Sequence, residues 1–121
     1  MHEFVSGEIY WLEVGYQDNP SESKTRPAII VDIDDDELLI LVAATSVPPH
    51  NPPKYFDRYK IPILNWRKAG LPKPTWAQGF RLLTLTKNDM QSAVKEEDYI
   101  GRMDEVDFNY LVNELERIHN S

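Results

Sequence analysis

The amino-acid sequence predicts an α+β domain that is mainly β, with an antiparallel sheet that is twisted or barrel-like. Two observations carry this prediction. The first half holds apolar segments rich in β-branched and aromatic residues, separated by turn signals, and the last segment has apolar residues at helical spacing. Strands thus come first and helices late, an order typical of this fold class. With 121 residues, the chain is expected to form one domain, 1–121, around a single core.

The first two predicted strands flank a long polar loop. The segment 7–14, GEIYWLEV, is rich in aromatic and β-branched residues and predicts a strand. The loop 15–25 contains Asn-Pro and serine signals, and its length favours a functional role. The second strand is predicted at 26–33. Pro27 belongs at its start or at a sheet edge, because proline cannot donate a hydrogen bond to a ladder.

A turn of three aspartates, 34–36, leads from the second strand to a third one at 37–46. The third strand, ELLILVAATS, is almost continuously apolar, so both of its faces are expected to be buried. The two strands are therefore predicted to form a hairpin. The segment 47–57 that follows contains four prolines, which excludes a helix or a central strand.

The C-terminal segment predicts an amphipathic helix that lies on the sheet. Asp104 and Asp107 give it a cap-like start. Its apolar positions are Phe108, Leu111, Val112, Leu115 and Ile118. Weaker signals before it predict an edge strand at 58–64, a helical turn at 65–70 ended by Gly70, one strand at 74–86 with a bend or bulge near Gly79, a short helix at 87–94 and a strand at 98–103.

Composition narrows the functional classes. The chain has no cysteine, which excludes disulfides, thiolate metal sites and thiol nucleophiles and fits a reducing cytoplasm. It has neither an apolar run of membrane-spanning length nor a signal-peptide layout, so a cytoplasmic location is expected. The formal net charge of -7 argues against indiscriminate nucleic-acid binding. The stretch 54–73 is nevertheless basic, and it is either a solvated loop or part of a positive face.

Familiar metal and cofactor chemistry is not indicated by the sequence. The histidines His2, His50 and His119 do not have metal-ligand spacing. The five glycines form neither a phosphate-binding loop nor a dinucleotide fingerprint, and no nucleophile-elbow sequence is present. We therefore expect neither a metal nor a cofactor.

Arg26 is the first residue of a predicted strand that must be buried, so its positive charge needs a partner. In the predicted hairpin the start of the second strand lies beside the end of the third, which places Arg26 near Thr45 or Ser46. A guanidinium beside a hydroxyl suits a phosphate, because arginine binds it bidentately and the hydroxyl adds a donor. The alternative is structural: Arg26 would pair with an acid such as Glu22, and Ser46 would cap a turn.

The segments GEIYWLEVG, SKTRPAIIV and LLILVAATS together resemble the MazF/PemK family of toxins from type II toxin–antitoxin systems. An aromatic-rich strand, a polar loop, an Arg-Pro before an apolar strand and a Thr/Ser pair follow one another in the family's order. IPILNWRKAGLPKPTWAQ and LLTLTKNDM are similar to a PemK-like branch, so the match extends over residues 7–118. The resemblance implies a small SH3-like barrel of antiparallel strands with a C-terminal amphipathic helix, usually a homodimer.

The resemblance also implies a metal-independent endoribonuclease, in which the ribose 2′-hydroxyl of single-stranded RNA (mRNA) attacks the adjacent phosphate. Arg26 would stabilise the charge on the phosphorane and assist proton transfer. Ser46, or Thr45 one register step away, would orient the phosphate, and only one of the two can face the pocket because successive side chains alternate. The implied RNA-binding residues are Lys24, Thr25, Gln78, Lys54, Arg58 and Trp66, and the loop 16–25 would gate the RNA.

Aromatic residues are interleaved in the basic stretch 54–73 and would stack on unpaired bases, unless most of them belong to the core. They are Tyr55, Phe56, Tyr59 and Trp66. One departure from the family pattern concerns the strand matching TWAQGFRLL, where some members carry a basic residue and a carboxylate. Here the polar residues are Gln78 and Arg81, so the general acid–base pair is built differently, or the activity is weak or lost.

Two further functions stay open at this point. A CcdB-like toxin would bind a protein target such as DNA gyrase on a similar fold, and a degenerate barrel would act only as a binding module. CcdB-like proteins rely on residues of the C-terminal helix, and YLVNELERIHNS carries no matching signature, which favours the nuclease. A cognate antitoxin, whose flexible tail would occupy the RNA groove, is the expected protein partner.

Overall fold

The computed structural model describes residues 3–15 and 23–120. Six of the seven strands described in these ranges precede the first α-helix, and β7 lies between the two α-helices, which confirms the predicted α+β class. The elements are β1 (Glu8–Gly15), β2 (Ser23–Asp34), β3 (Leu38–Thr45), a 3-10 helix (Tyr55–Tyr59), β4 (Lys60–Ile63), β5 (Thr75–Gln78), β6 (Leu83–Thr86), α1 (Lys87–Ala93), a second 3-10 helix (Glu96–Asp98), β7 (Tyr99–Arg102) and α2 (Glu105–His119). No helix in these ranges is long and apolar enough to span a membrane.

The seven strands of this part of the chain form one antiparallel sheet. Its order is β4-β5-β3-β2-β1-β7, and β6 also pairs with β3. The sheet does not close, because β4 and β7 are edge strands in this order. The arrangement is consistent with the predicted SH3-like topology, and it places the start of β2 beside the end of β3.

The hairpin between β2 and β3 forms as predicted. Asp35 and Asp36 occupy the left-handed region, with φ of 52° and 55°, which is the conformation of a tight hairpin turn and one that aspartate tolerates. The strand β2 begins three residues earlier than predicted, at Ser23. Pro27 therefore lies inside the strand. This is tolerated because the β2–β3 ladder begins only at Ala28.

The predicted single strand at 74–86 is wrong in one respect, since two strands occupy this segment. The strand β5 pairs with the end of β3, and β6 pairs with its start. Residues 79–82 leave the ladder between them, so the bend near Gly79 is confirmed. Close packing causes it. The amide of Gly79 donates to the carbonyl of Tyr59 at 3.0 Å, and a Cβ at this glycine would lie 2.9 Å from that carbonyl oxygen and 2.9 Å from Ile61 Cδ1.

Apolar side chains cover both faces of the sheet, so the prediction that the third strand is buried on both sides is confirmed. On one face Ile29 and Val42 pack with Leu111 and Leu115 of α2. The other face holds a second cluster, beside α1: Tyr10, Leu12, Ala28, Ile30, Leu39, Leu41, Ala43 and Met90. The amphipathic C-terminal helix thus lies on the sheet as expected.

The start of α2 differs from the predicted cap. Asp104 is the N-cap residue, but its side chain accepts no capping hydrogen bond. Its carboxylate accepts instead from the Asn65 side-chain amide at 3.4 Å, and Asp107 accepts from the Asn65 backbone amide at 2.7 Å. The two carboxylates therefore bind the turn at 64–70 to the helix.

The proline-rich segment is held by the buried carboxylate of Asp57. Its Oδ2 accepts from the backbone amides of Lys54 and His50 and lies 2.7 Å from His50 Nδ1, and its Oδ1 lies 3.0 Å from Lys60 Nζ. Burial opposes ionisation, yet these hydrogen bonds outweigh it and hold the pKa of Asp57 well below its usual range. Because residues 55–59 form a 3-10 helix, the predicted edge strand 58–64 shortens to β4.

Candidate nucleic-acid interface

A cleft of about 210 Å³ lies where β2 begins and β3 ends. The hairpin brings the two ends together, and the segment that enters β5 closes the cleft from the side. Five of the predicted site residues line it: Lys24, Thr25, Arg26, Thr45 and Ser46. Its other lining residues are Trp11, Pro27, Ala44, Val47, Leu71, Pro72, Lys73 and Thr75.

The lining of this cleft is cationic. Lys24, Arg26 and Lys73 contribute three positive charges, and none of the described lining residues is acidic. In the part of the chain that the structure describes, the half-buried Arg26 guanidinium forms no hydrogen bond or ion pair. The pairing with Glu22, which was the structural alternative, concerns a residue outside the described ranges, as does most of the predicted gating loop. A free guanidinium among hydroxyl groups is able to bind an anion such as a phosphate.

The two candidate hydroxyl residues lie at the end of β3, Thr45 as its last residue and Ser46 directly after it. The β2–β3 register pairs Ala28 with Ala43, and its continuation sets Thr45 opposite Arg26. Thr45 would then share the strand face of Arg26, whereas Ser46 lies beyond the last residue of β3, and both residues line the cleft. Thr45 is only 4% exposed, and its Oγ1 accepts from the amide of Val47 at 3.2 Å, which leaves the hydroxyl proton free to donate. The geometry thus favours Thr45 over Ser46 as the partner of Arg26.

Arg26 also lines a second, smaller cavity of about 80 Å³. Gln78, Phe80 and Arg81 line it as well, so Gln78, one of the expected RNA-binding residues, lies in the same cavity as Arg26. Arg81 Nη1 donates to the carbonyl of Gly15 at 3.3 Å, which ties the 79–82 segment to the end of β1. The described residues lining this cavity include no carboxylate either, in agreement with the departure from the family pattern seen at Gln78.

The remaining predicted RNA-binding residues lie outside the described linings of both cavities. Lys54 and Arg58 are exposed, at the start of and within the first 3-10 helix. Trp66 is half-buried against the core cluster under α2, with the Arg67 guanidinium 4.7 Å from the centroid of its ring. Trp66 therefore fits the alternative that assigned these aromatic residues to the core.

Sequence reasoning missed three residues that belong to the site. Lys73, Phe80 and Arg81 reach Arg26 only through tertiary packing, because their segments follow β4 and β5. Lys73 belongs to the basic stretch 54–73, where no local pattern distinguishes it from Lys68. Arg81 stands on the strand where some family members carry a carboxylate, and its sequence position alone does not place it beside Arg26.

A larger cleft, of about 640 Å³, lies between β1 and the residues that follow α1. It is lined by Phe4, Tyr10, Gln91, Val94, Lys95, Glu96 and Tyr99, which include a cation and an acid next to each other. Burial, and then the neighbouring Glu8 carboxylate, raise the pKa of Tyr10 well above its usual range. This mixed lining offers an anion no net attraction, unlike the Arg26 cleft.

Solved structures with the same fold belong to toxins and their complexes. MazF from Deinococcus radiodurans superposes with a TM-score of 0.66 at 14% identity, over 100% of both chains. The toxin MazF-mt6 of Mycobacterium tuberculosis gives 0.61 at 14% identity, over 93% of this chain and 96% of that one. A mycobacterial endoribonuclease in complex with its cognate antitoxin gives 0.62 at 14% identity, over 99% and 96%. At such identities the likeness concerns the fold. No curated protein sequence matches the chain significantly.

The family comparison covers nearly the whole chain. The model of the PemK-like, MazF-like toxins of type II toxin–antitoxin systems matches residues 6–119, which include every strand and helix described above. The chain therefore belongs to the PemK-like, MazF-like toxin family of type II toxin–antitoxin systems.

Proposed function

We propose that this toxin is an endoribonuclease that cleaves single-stranded RNA without a metal ion. The observation that carries the proposal is the cleft around Arg26, where three cations and several hydroxyls meet in a chain whose formal net charge is -7. A positive cleft on an acidic protein attracts a polyanion to one place and repels it elsewhere. The family and the neighbouring endoribonuclease structure support the same assignment.

The proposed reaction is an internal transesterification. The ribose 2′-oxygen attacks the adjacent phosphorus, the bond from phosphorus to the 5′-oxygen breaks, and the products are a 2′,3′-cyclic phosphate and a 5′-hydroxyl. The proton lost by the 2′-hydroxyl is balanced by one gained at the leaving 5′-oxygen. Arg26 binds the non-bridging oxygens, where negative charge grows in the transition state, and Thr45 donates from the neighbouring strand.

Electrostatic stabilisation is the main contribution of this site. The described residues lining the two cavities include neither a carboxylate nor an imidazole, so Arg26 itself is the group we assign to assist proton transfer. A positioned general acid or base typically contributes about 10²- to 10⁴-fold. We therefore expect a slower enzyme than one with a dedicated acid–base pair.

The proposed partners are those that the family implies, and the cleft is where we place their binding. We assign single-stranded RNA as substrate and a cognate antitoxin whose flexible tail competes for the groove, and we expect a homodimer in the cytoplasm. An acidic or extended tail that neutralises Lys24, Arg26 and Lys73 would exclude RNA by occupying the same charges.

The proposal is tested by incubating the purified protein with a long unstructured RNA in EDTA, beside Arg26→Ala. The parent is expected to produce fragments with 2′,3′-cyclic phosphate ends, and Arg26→Ala to cut at least about a hundredfold more slowly, as for loss of one transition-state donor. Arg102→Ala is the matched control, because Arg102 is an exposed arginine on the edge strand β7.

RNA that stays intact with the parent, or equal cutting by Arg26→Ala, would overturn the assignment. In that case a supercoiling assay with DNA gyrase tests the CcdB-like alternative.

A further inference from the structure

A cluster of exposed aromatic rings lies on the first 3-10 helix. Tyr55 is 61% exposed and Phe56 41%, and their ring centroids are 4.9 Å apart at an interplanar angle of 83°. Phe56 is also tilted by 35° against Phe80, with centroids 4.4 Å apart. We name Tyr55, Phe56 and Phe80 the aromatic ledge. Large exposed rings in contact with one another mark a binding surface more often than scattered apolar residues do.

The ledge is continuous with the Arg26 site. Phe80 lines the 80 Å³ cavity together with Arg26 and Gln78, and its ring contacts that of Phe56. A cavity of this size holds only a few water molecules, so it does not enclose a base. Tyr55 and Phe56 nevertheless remain exposed, and Phe56 is connected to the cavity through its contact with Phe80.

The charges around the ledge are positive. The Arg58 guanidinium lies 4.9 Å from the centroid of the Tyr55 ring, and Lys54 is exposed at the start of the helix. The one acid among residues 54–60, Asp57, is buried and bonded to Lys60, so it contributes no exposed negative charge. Rings combined with cations suit a chain of phosphates and unpaired bases.

We propose that the aromatic ledge is a stacking subsite for the base of a nucleotide next to the scissile phosphate. This inference rests on the proposed function. It adds the place at which the protein holds one base of the bound RNA. Stacking accepts any base, so the ledge contributes affinity and alignment rather than strict sequence choice. Asp57 is a positioning residue for the ledge, because it holds the 3-10 helix that presents Tyr55 and Phe56.

The test measures binding of a fluorescent, mixed-sequence 2′-fluoro RNA, which lacks the attacking hydroxyl, by anisotropy. Phe56→Ala is expected to weaken binding roughly 5- to 150-fold, as for loss of one stacked base. The slope of log Kd against log salt should stay unchanged, because no phosphate contact is lost. Phe56→Tyr retains the ring and is expected to restore parental affinity. Tyr110→Leu, an exposed aromatic on α2, is the matched control.

Suppose that the parent binds RNA and that Arg26→Ala no longer cuts it. An unchanged RNA affinity in Phe56→Ala would then contradict the role of the aromatic ledge, while the proposed nuclease function would stand. A variant that changes elution volume in gel filtration but not RNA affinity would make the ledge a self-association surface, which also overturns the inference. A parent that neither binds nor cuts RNA overturns the proposed function and the ledge with it. Melting curves verify that Phe56→Ala folds.

Discussion

Arg26 lines two cavities. In the proposed reaction it has two roles, which are to bind the phosphate and to assist proton transfer. It lines the cleft of cations and hydroxyls and also the smaller cavity that contains Gln78 and Phe80. The rigid fork of donors suits this position, because it can bind two oxygens of one phosphate at once. A lysine would retain the charge and lose that geometry.

Thr45 is predicted to matter more than Ser46. Thr45→Val keeps the shape and removes the hydroxyl, and we expect kcat on RNA to fall about a hundredfold because a donor to the phosphorane is lost. Ser46→Ala is expected to lower kcat less than about tenfold, since Ser46 lies outside the strand that holds Thr45 beside Arg26. Thr84→Val, at an exposed threonine of β6, serves as the control. Equal losses at 45 and 46 would contradict this assignment.

Among the elements, the first 3-10 helix depends on a single carboxylate. Asp57 joins it to His50 and Lys60, and Lys60 Nζ in turn donates to the carbonyl of Val47, a residue of the Arg26 cleft. The short helix and the cleft rim therefore share one hydrogen-bond network.

Asp57→Asn is predicted to lower Tm by several degrees at pH 7. The pKa of Asp57 is lowered in the folded state, so its stabilisation is present above the usual carboxyl pKa of 3.8 and is lost as pH falls through the lowered value. The Tm difference between parent and variant should consequently shrink as pH falls below about 4. Asp98→Asn, in the second 3-10 helix, is the control. A Tm difference that is constant between pH 7 and pH 3 would refute the carboxylate's role.

The helix α2 is predicted to contribute to the stability of the fold through its buried face. Leu111 is 1% exposed in the cluster with Ile29 and Val42, so Leu111→Ala should lower the free energy of unfolding by about 2–5 kcal/mol. Val106→Ala, at a position of the same helix that is 72% exposed, should change it by less than about 0.5 kcal/mol. Urea denaturation measures both values, and similar effects would show that the helix is not anchored at Leu111.

At the scale of the whole molecule, acidic and basic residues lie at opposite ends of the β2–β3 hairpin. The acidic turn at Asp34–Asp36 lies at the end of the hairpin opposite the Arg26 cleft, because β2 and β3 run the full distance between them. An approaching polyanion is thus repelled at one end and attracted at the other.

This charge distribution predicts the salt dependence of RNA binding. With Lys24, Arg26 and Lys73 on phosphates, the slope of log K against log salt for an uncleavable RNA is expected to be about −2, and Lys73→Gln should make it shallower by about 0.7. Lys87→Gln is the control, since Lys87 Nζ is paired with Glu3 at 3.1 Å and stands at the start of α1. An unchanged slope in Lys73→Gln would remove Lys73 from the interface.

Local patterns were enough to predict much of the fold. Alternation, prolines and turn residues predicted β1, the hairpin and α2, because these signals act between residues close in the chain. The predicted hairpin also implied that Arg26 lies near Thr45 or Ser46. Which of Thr45 and Ser46 lies opposite Arg26 depends on the β2–β3 register. A slip of that register by one residue would exchange the two, and the sequence does not fix the register. Lys73 and Phe80 could not be assigned at all, since long-range packing brings them to Arg26.

The segment 79–82 has a consequence for how this toxin can change over evolution. It leaves the ladder between β5 and β6, yet it carries Phe80 and Arg81 to the site. Substitutions there remove no strand pairing, so the surface that we propose binds RNA can diversify while the sheet stays intact. Gly79 is the exception, because the backbone of Tyr59 leaves no space for a side chain. New target preferences are therefore expected to arise at residues 80–82 sooner than at Arg26 or Thr45.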